Sequence, residues 1–339
     1  MPPRPTIKDI ARAAGVSNVT VSRVLNTPEL VRADTRGRVE AAMQRLGYTP
    51  NLAARAMRTR FTRTIGFLVP DILSYSNAAV AQAAERALAA EGYGMMLVSS
   101  GESGADELRA LEMLRTHRMD GMLVYVGDES DERMIGTLRE LGVPCVVLDR
   151  TLPIEADQVL SDHAQAMQET VRYLASLGHT SMAAVMSARR VRPVLERRRA
   201  FDAAIAACGL DPARQMIVAV RPEERARFQA TGLFAGADRP TAVLVDGSQL
   251  LRAVVDALRR QGLGIPGDVS VVGLDVEDVA PTMTPELTRI SRDYGAIGRT
   301  AADFLLRRIR SGPGPRQTAL LESHVLLKSS CARVPQSGA

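Results

Sequence analysis

The stretch Gly15-Val16-Ser17-Asn18-Val19-Thr20-Val21-Ser22-Arg23-Val24-Leu25-Asn26 restricts the start of this chain to one kind of local fold. Gly15 can adopt the positive φ that closes a preceding helix, and the Ser17 hydroxyl can cap the next one, so the pattern predicts a helix, a tight turn and a second helix. Val21, Val24 and Leu25 share one side of that second helix at helical spacing. Its other side holds small hydrogen-bonding residues, which packing alone does not call for. A helix-turn-helix of this kind presents its second helix to the major groove of DNA.

The flanking residues complete a small three-helix unit. Thr6-Ile7-Lys8-Asp9 combines an N-cap with an acid three positions on, and Ile10, Ala11 and Ala14 continue at core spacing, which predicts a first helix over 7–14. After a loop at Asn26-Thr27-Pro28-Glu29, apolar residues recur at Val39, Ala42, Met43 and Leu46, and Gly47 stops a third helix predicted over 34–46. Charge marks off the same region. Residues 1–63 hold 12 Lys and Arg against 4 Asp and Glu, a net of +8, whereas the other 276 residues are net −3. That asymmetry is expected of a small phosphate-neutralising module attached to a larger body. The segment 48–58 has Pro50 at the first turn of a short helix capped by Thr49. Alone it reads as either a plain linker or a helix that orders only against a partner.

From Arg63 onward, short apolar runs alternate with amphipathic segments. Runs at 65–69, 95–99, 121–126 and 145–148 predict buried parallel strands, with helices at 77–91, 106–118 and 130–141. A second series follows, with strands at 182–186, 215–220, 242–245 and 269–274 and helices at 164–177, 195–207, 222–234 and 249–261. Two doubly wound α/β lobes joined by crossover strands enclose a cleft suited to a small ligand, and Asp71, Asp149, Asp246 and Asp275 stand at the carboxyl ends of strands, where open sheets bind.

Several function classes find little support. No apolar run approaches the ~20 residues of a membrane span and residues 1–5 do not form a signal peptide, so a cytoplasmic protein is expected. Cys145, Cys208 and Cys331 form no CxxC or even framework, as in a reducing compartment. His117, His163, His179 and His324 are scattered, which predicts neither a metal site nor a nucleophilic triad. The GxGxxG at Gly262-Leu263-Gly264-Ile265-Pro266-Gly267 follows a helix and precedes a strand, the reverse of a dinucleotide fingerprint. We expect no enzyme, no cofactor and no metal.

The motifs Thr6-Ile7-Lys8-Asp9-Ile10-Ala11, Gly15-Val16-Ser17, Thr20-Val21-Ser22-Arg23-Val24-Leu25-Asn26, Thr35-Arg36, Leu46-Gly47-Tyr48 and Pro50-Asn51-Leu52-Ala53-Ala54-Arg55, with Thr64-Ile65-Gly66 opening the larger body, resemble the lactose-repressor (LacI/GalR) family of transcriptional regulators. The resemblance runs nearly the whole length of the chain. It implies an all-α helix-turn-helix DNA-binding domain at 1–47, a hinge helix and linker at 48–62, and a two-lobed, periplasmic-binding-protein-like α/β effector and dimerisation domain at 63–339. Lobe 1 is expected over about 63–160 and 292–316, and lobe 2 over about 161–291 and 317–330. It further implies that Ser17, Asn18 and Val19 read base edges, while Thr6, Thr20, Ser22, Arg23, Asn26, Tyr48, Asn51 and Arg55 also contact DNA. Asn18 can pair with adenine and Val19 can pack on a thymine methyl, the alternative for Val19 being the core. Met57 stands where the family places a leucine that wedges into the minor groove.

In the larger body the resemblance matches Asp71, Asp149, Arg197 and Asp275 to positions that hold an effector, and Tyr75, Arg189, Ser248 and Arg292 are expected beside them. The chain departs from the family at Ser74-Tyr75-Ser76-Asn77, Gly247-Ser248 and Arg292-Asp293, positions that recognise sugar hydroxyls in relatives. Arg189, Arg190, Arg192, Arg197 and Arg292 instead suggest an anion such as a sugar acid or sugar phosphate, unless neighbouring acids neutralise them. The expected protein is a homodimeric repressor of a palindromic operator, controlled by a sugar-like or anionic effector. The rival is a solute-binding receptor with the same two-lobed body.

Overall fold

The computed structural model describes residues 5–48, 61–101, 104–236 and 238–334, with only the backbone at Asn26, Pro28 and Ala226. Contacts divide the chain into two units, Met1–Thr62 and Arg63–Ala339. In the first, α1 (Ile7–Ala14), α2 (Asn18–Asn26) and α3 (Ala33–Leu46) surround a core of Ile10, Ala11, Ala14, Val21, Val24, Val39 and Ala42. Gly15 ends α1 at φ 63° and Gly47 ends α3 at φ 61°, both left-handed positions that a side chain would strain. Leu46, expected in the core, is 39% exposed. The turn at Gly47 bonds Tyr48 N–H to Met43 O at 2.9 Å and packs the Tyr48 ring on the core in its place.

The second unit is built on two six-stranded sheets. The first uses β1 (Thr64–Val69), β2 (Gly94–Ser99), β3 (Gly121–Val124), β4 (Cys145–Leu148), β5 (Asp157–Ser161) and β11 (Thr318–Leu321), ordered β11-β5-β4-β3-β1-β2 with every pairing parallel. The second uses β6 (Met182–Ser187), β7 (Met216–Val220), β8 (Ala242–Asp246), β9 (Ser270–Leu274), β10 (Thr288–Arg292) and β12 (Ser323–Leu326), ordered β12-β10-β9-β8-β6-β7, with β12 antiparallel to β10. Strands such as β1 and β3 are buried on both faces, which is why they read as unbroken apolar runs rather than alternating ones.

Helices α4 (Tyr75–Ala90), α5 (Gly104–Thr116), α6 (Glu132–Arg139) and α10 (Tyr294–Ser311) belong to the first lobe. Helices α7 (Ala164–Ser176), α8 (Arg192–Ala207) and α9 (Ser248–Arg260) belong to the second. The chain crosses between lobes after β5, after β10 and after β11. The third crossing corrects the expected return at residue 317, because β11 still pairs with β5 in the first sheet, Thr318 lying opposite Gln158.

A helix expected over 222–234 is also corrected. Two 3-10 segments, Pro222–Arg227 and Thr231–Phe234, stand there, separated by an extended Phe228. The apolar residues at 228, 230, 233 and 234 do not fall on one helical face. Breaking the helix lets Ala230 and Phe234 enter the core while Phe228 faces the cleft.

Candidate functional site

In the first unit, α1 and α2 frame a groove lined by Ile7, Lys8, Asn18, Val19, Ser22, Arg23 and Thr27. Val19 is 61% exposed, so it is not the core residue its chemistry allows. Asn18 and Arg23 are exposed beside it on the first and second turns of α2. Ser17 Oγ accepts the Thr20 N–H at 3.2 Å and lies 3.0 Å from Thr20 Oγ1, so it caps α2 and ties down its neighbour. Thr6 donates its N–H and its hydroxyl to Asp9 Oδ2 at 2.9 and 2.7 Å. Tyr48 packs on the core, and Ser22 is half-buried. The Asn26 side chain and all of Asn51, Arg55 and Met57 lie outside the described residues. Lys8 and Thr27 were not foreseen at this face. Their signal, a lysine in the first turn of α1 and a threonine just past α2, becomes informative only once the two helices are set side by side.

In the second unit, the carboxyl ends of both sheets open onto one cleft of about 840 Å³. In each sheet the strand order reverses direction at one place, between β1 and β3 and between β6 and β8, where a doubly wound sheet leaves a crevice. Asp71, Tyr75, Asp149, Arg189, Arg197, Ser248, Asp275 and Arg292 all line this cleft. Asp149 and Asp275, each just past a strand, have left-handed backbones at φ 51° and 54°. Aspartate tolerates that conformation better than most residues, and the turn aims each carboxylate across the floor.

The floor is a chain of ion pairs. Arg292 Nη1 reaches Asp149 Oδ2 at 2.6 Å and its Nε reaches Asp275 Oδ1 at 2.9 Å. Arg197 bridges Asp275 at 2.6 Å and Asp246 at 2.9 Å. Asp149 also accepts the Ser161 N–H at 2.8 Å, Arg192 Nη1 at 3.3 Å and His163 Nε2 at 3.0 Å. Burial by itself favours the neutral form of Asp149, but His163 and Arg292 outweigh it and hold the carboxyl far below the usual range. Asp275 is likewise held down by Arg292 and Arg197 against the effect of burial. Burial lowers the pKa of His163 while Asp149 opposes that shift, and its Nε2 lies 3.0 Å from the Asp149 carboxylate. The single Tyr294 hydroxyl proton is shared between Asp275 at 2.8 Å and Glu277 at 2.9 Å, and the ring meets Tyr75 edge to face with centroids 5.9 Å apart. Arg197 and Arg292 line the cleft already paired with aspartates, the alternative left open for them in the sequence. Arg192 is similarly held by Asp149 and by Glu196 at 2.9 Å, and Arg190 lies away from the cleft lining.

The walls bring donors of another kind. Helices α4 and α9 begin at Tyr75 and Ser248 with no side-chain cap, and residues of each first turn line the cleft. Uncapped N–H groups at a helix start favour oxygen-rich partners. Sequence reasoning missed Ser187, Arg225, Phe228, Arg252 and Asp278 in this wall. They lie at the end of β6, in loops or on helical turns and show no pattern until the lobes are assembled. Among the described residues no group of three or more His, Cys, Asp or Glu could hold a metal ion, and no helix is long and apolar enough to cross a membrane.

Comparison with known proteins agrees with both units. Residues 6–51 match the lacI family of bacterial regulatory proteins, and residues 171–331 match a periplasmic binding protein-like domain. The HTH-type transcriptional repressor PurR of Erwinia tasmaniensis is 30% identical over 333 residues, 97% of this chain and 98% of that protein. PurR of Vibrio cholerae is 30% identical over 321 residues, 94% of this chain and 95% of that protein. Among solved structures, the lac repressor dimer bound to operator and the anti-inducer ONPF superposes with a TM-score of 0.84 at 24% identity, covering 97% of this chain and 100% of that one. The cellobiose complex of the transcriptional regulator CelR superposes with a TM-score of 0.70 at 27% identity, covering 96% and 100%.

Proposed function

The chain belongs to the LacI family of bacterial regulatory proteins, and from that premise we propose that it acts as a homodimeric repressor at a palindromic operator, under the control of a small polar effector held between its two sheets. Its relatives are transcriptional repressors and not enzymes. The observation that carries the effector reading is the cleft itself, to which both sheets contribute strand-end aspartates. The match of residues 6–51 to a DNA-binding family weighs against a solute-binding receptor with the same body.

Paired units of this kind read the two half-sites of a palindrome, which supports the dimer. At the DNA, Asn18 and Val19 read base edges, while Lys8, Arg23 and Thr20 hold phosphates. In the cleft, the effector is sugar-like or anionic, a sugar acid or sugar phosphate in the second case. The cellobiose complex of CelR supports a hydroxyl-rich ligand, and the uncapped helix starts and Arg225 and Arg252 support an anionic group on it. Effector binding changes how the lobes close and thereby the affinity for operator. Footprinting upstream of the chain's own gene at low salt, with and without sugars, sugar acids and sugar phosphates, tests the reading. A protected palindrome whose occupancy responds to one of these ligands supports it. No protected palindrome would undo it.

A further inference from the structure

The charges lining the cleft do not cancel locally, and the imbalance has a definite place. Six aspartates and six arginines face this space. Every aspartate has a protein partner. Asp149, Asp246 and Asp275 are held by Arg292 and Arg197, Asp71 accepts the Leu73 N–H at 2.8 Å, Asp256 pairs with Arg260 at 2.9 Å, and Asp278 accepts the Ser248 hydroxyl. Four of the arginines are placed against acids as well. Arg197 and Arg292 form the floor, Arg150 lies 3.9 Å from Glu129 and donates to Val126 O, and Arg189 lies beside buried Glu107 at Gly127.

Arg225 and Arg252 differ from these four. Among the described residues neither has a carboxylate within 4.0 Å. Arg225, in the 3-10 segment Pro222–Arg227, donates one Nη to Ser187 Oγ at 2.8 Å, and its Nε is without a hydrogen-bond partner. Arg252 lies on the face of α9 that carries Ser248, Gln249 and Asp256 toward the cleft, one turn past the uncapped start of that helix. Asp256 is four residues beyond Arg252 but pairs with Arg260 instead. Arg225 is half-buried and Arg252 exposed, and both line the cleft, so an anion there meets two guanidinium groups that no carboxylate already holds.

We propose that Arg225 and Arg252 form the anion subsite of the cleft and take the carboxylate or phosphate group of the effector. The inference rests on the cleft being the effector site. Arg197 and Arg292 then serve as floor and not as charge readers. A ligand held here has its anionic end against the second lobe, with Phe228 beside it, and its hydroxyl groups toward the aspartate-lined floor.

The test uses the full chain with inorganic phosphate and, separately, acetate as probes at constant ionic strength, reading the midpoint of thermal unfolding. Phosphate is expected to raise the midpoint saturably over chloride, with Arg225→Gln and Arg252→Gln each weakening its apparent affinity about tenfold, the loss of one charge-assisted contact. Arg225→Lys and Arg252→Lys keep a charge and are expected to retain part of the effect, which separates lost binding from lost folding. A larger response to acetate than to phosphate would assign the subsite to a carboxylate. No saturable response to either anion in the wild type, or an equal response in the Arg225→Gln/Arg252→Gln double variant, would overturn the proposal. An anion response that the variants lose, combined with operator affinity indifferent to every anionic ligand, would leave the subsite standing and sink the control reading.

Discussion

The backbone N–H of Arg192 donates to Glu129 Oε1 at 2.6 Å, so the first residue of α8 in the second lobe is capped by a carboxylate from the loop after β3 in the first. A helix start is rich in unpartnered donors and partial positive charge, and a carboxylate placed there answers both. Burial raises the pKa of Glu129, with the Arg192 N–H and the charges of Arg150 and Arg192 opposing it. This contact fixes the lobes to one another at the rim, as the Asp149–Arg292–Asp275 chain does at the floor.

Replacing Glu129 with Ala removes an acceptor from a half-buried donor and leaves Arg150 without its nearest carboxylate. Loss of that contact is expected to cost about 1–3 kcal/mol. Urea unfolding followed by circular dichroism measures it, the chain having no tryptophan. A loss below about 0.5 kcal/mol, the usual size of a surface change, would show that the contact does not hold the lobes.

Two sets of acids give the unfolding midpoint a shaped dependence on pH. Asp149 and Asp275 lie below their ordinary 3.8 when folded. Their contribution is present above that value and is lost as pH falls through it toward the folded values. Glu107, Glu129 and Glu196 are pushed by burial above their ordinary 4.5, so what they contribute is present below 4.5 and is lost as pH rises through the raised values. The three glutamates are therefore expected to make the midpoint climb as pH is lowered toward 4.5, opposed below 6.5 by His163 and His179, whose pKa values burial lowers, and the two aspartates to make it fall below 3.8. Glu129→Gln should flatten the climb and leave the acid fall in place. Asp149→Asn should do the reverse, at a cost near neutral pH of about 3–5 kcal/mol for the uncompensated charges left behind. Calorimetric scans of the variants against the unchanged chain decide it, and a Glu129→Gln profile identical to that of the unchanged chain would contradict the assignment.

Helices α4 and α10 meet at Gly298. A Cβ built there lies 2.5 Å from Val80 O and 2.7 Å from Ala83 Cβ, and because backbone is the obstacle no rotamer change relieves it. Gly298→Ala is expected to destabilise the chain by about 1–3 kcal/mol despite the better helix propensity of alanine. Thermal unfolding reads the sign, and a stabilised variant would show that the helices are not packed this closely.

Much of this architecture can be read in the residues. Continuous apolar runs reveal β1, β3, β4, β6, β8 and β9, because strands covered on both faces leave no polar alternation to confuse them. The edge strands β11 and β12 escape notice: Leu320 of β11 is more than half exposed and Leu326 of β12 more than a third, and such short half-covered segments look like loop. The acids of the floor are legible because they terminate strands. That Arg197 and Arg292 are already paired is not legible, since their partners Asp246, Asp275 and Asp149 lie 49, 78 and 143 residues away in sequence. Arg225 and Arg252 are hidden in the same way, because their distinction, the lack of a carboxylate partner, shows only once the chain is folded.

At the DNA face, exposure separates readers from holders. Asn18 and Val19 protrude from the first turn of α2, while Lys8 and Arg23 stand at the sides of the same groove. Asn18→Ala is expected to relax base preference at one position of each half-site and to cost about 1–3 kcal/mol on the preferred operator, with little loss on random DNA. Lys8→Ala, which removes a charge and no base contact, should weaken all sequences alike and lower the slope of log affinity against log salt by about 1. Fluorescence anisotropy on operator and random duplexes across a salt series measures both. An equal loss on the two duplexes for Asn18→Ala, or an unchanged salt slope for Lys8→Ala, would show that the groove between α1 and α2 meets DNA in another orientation.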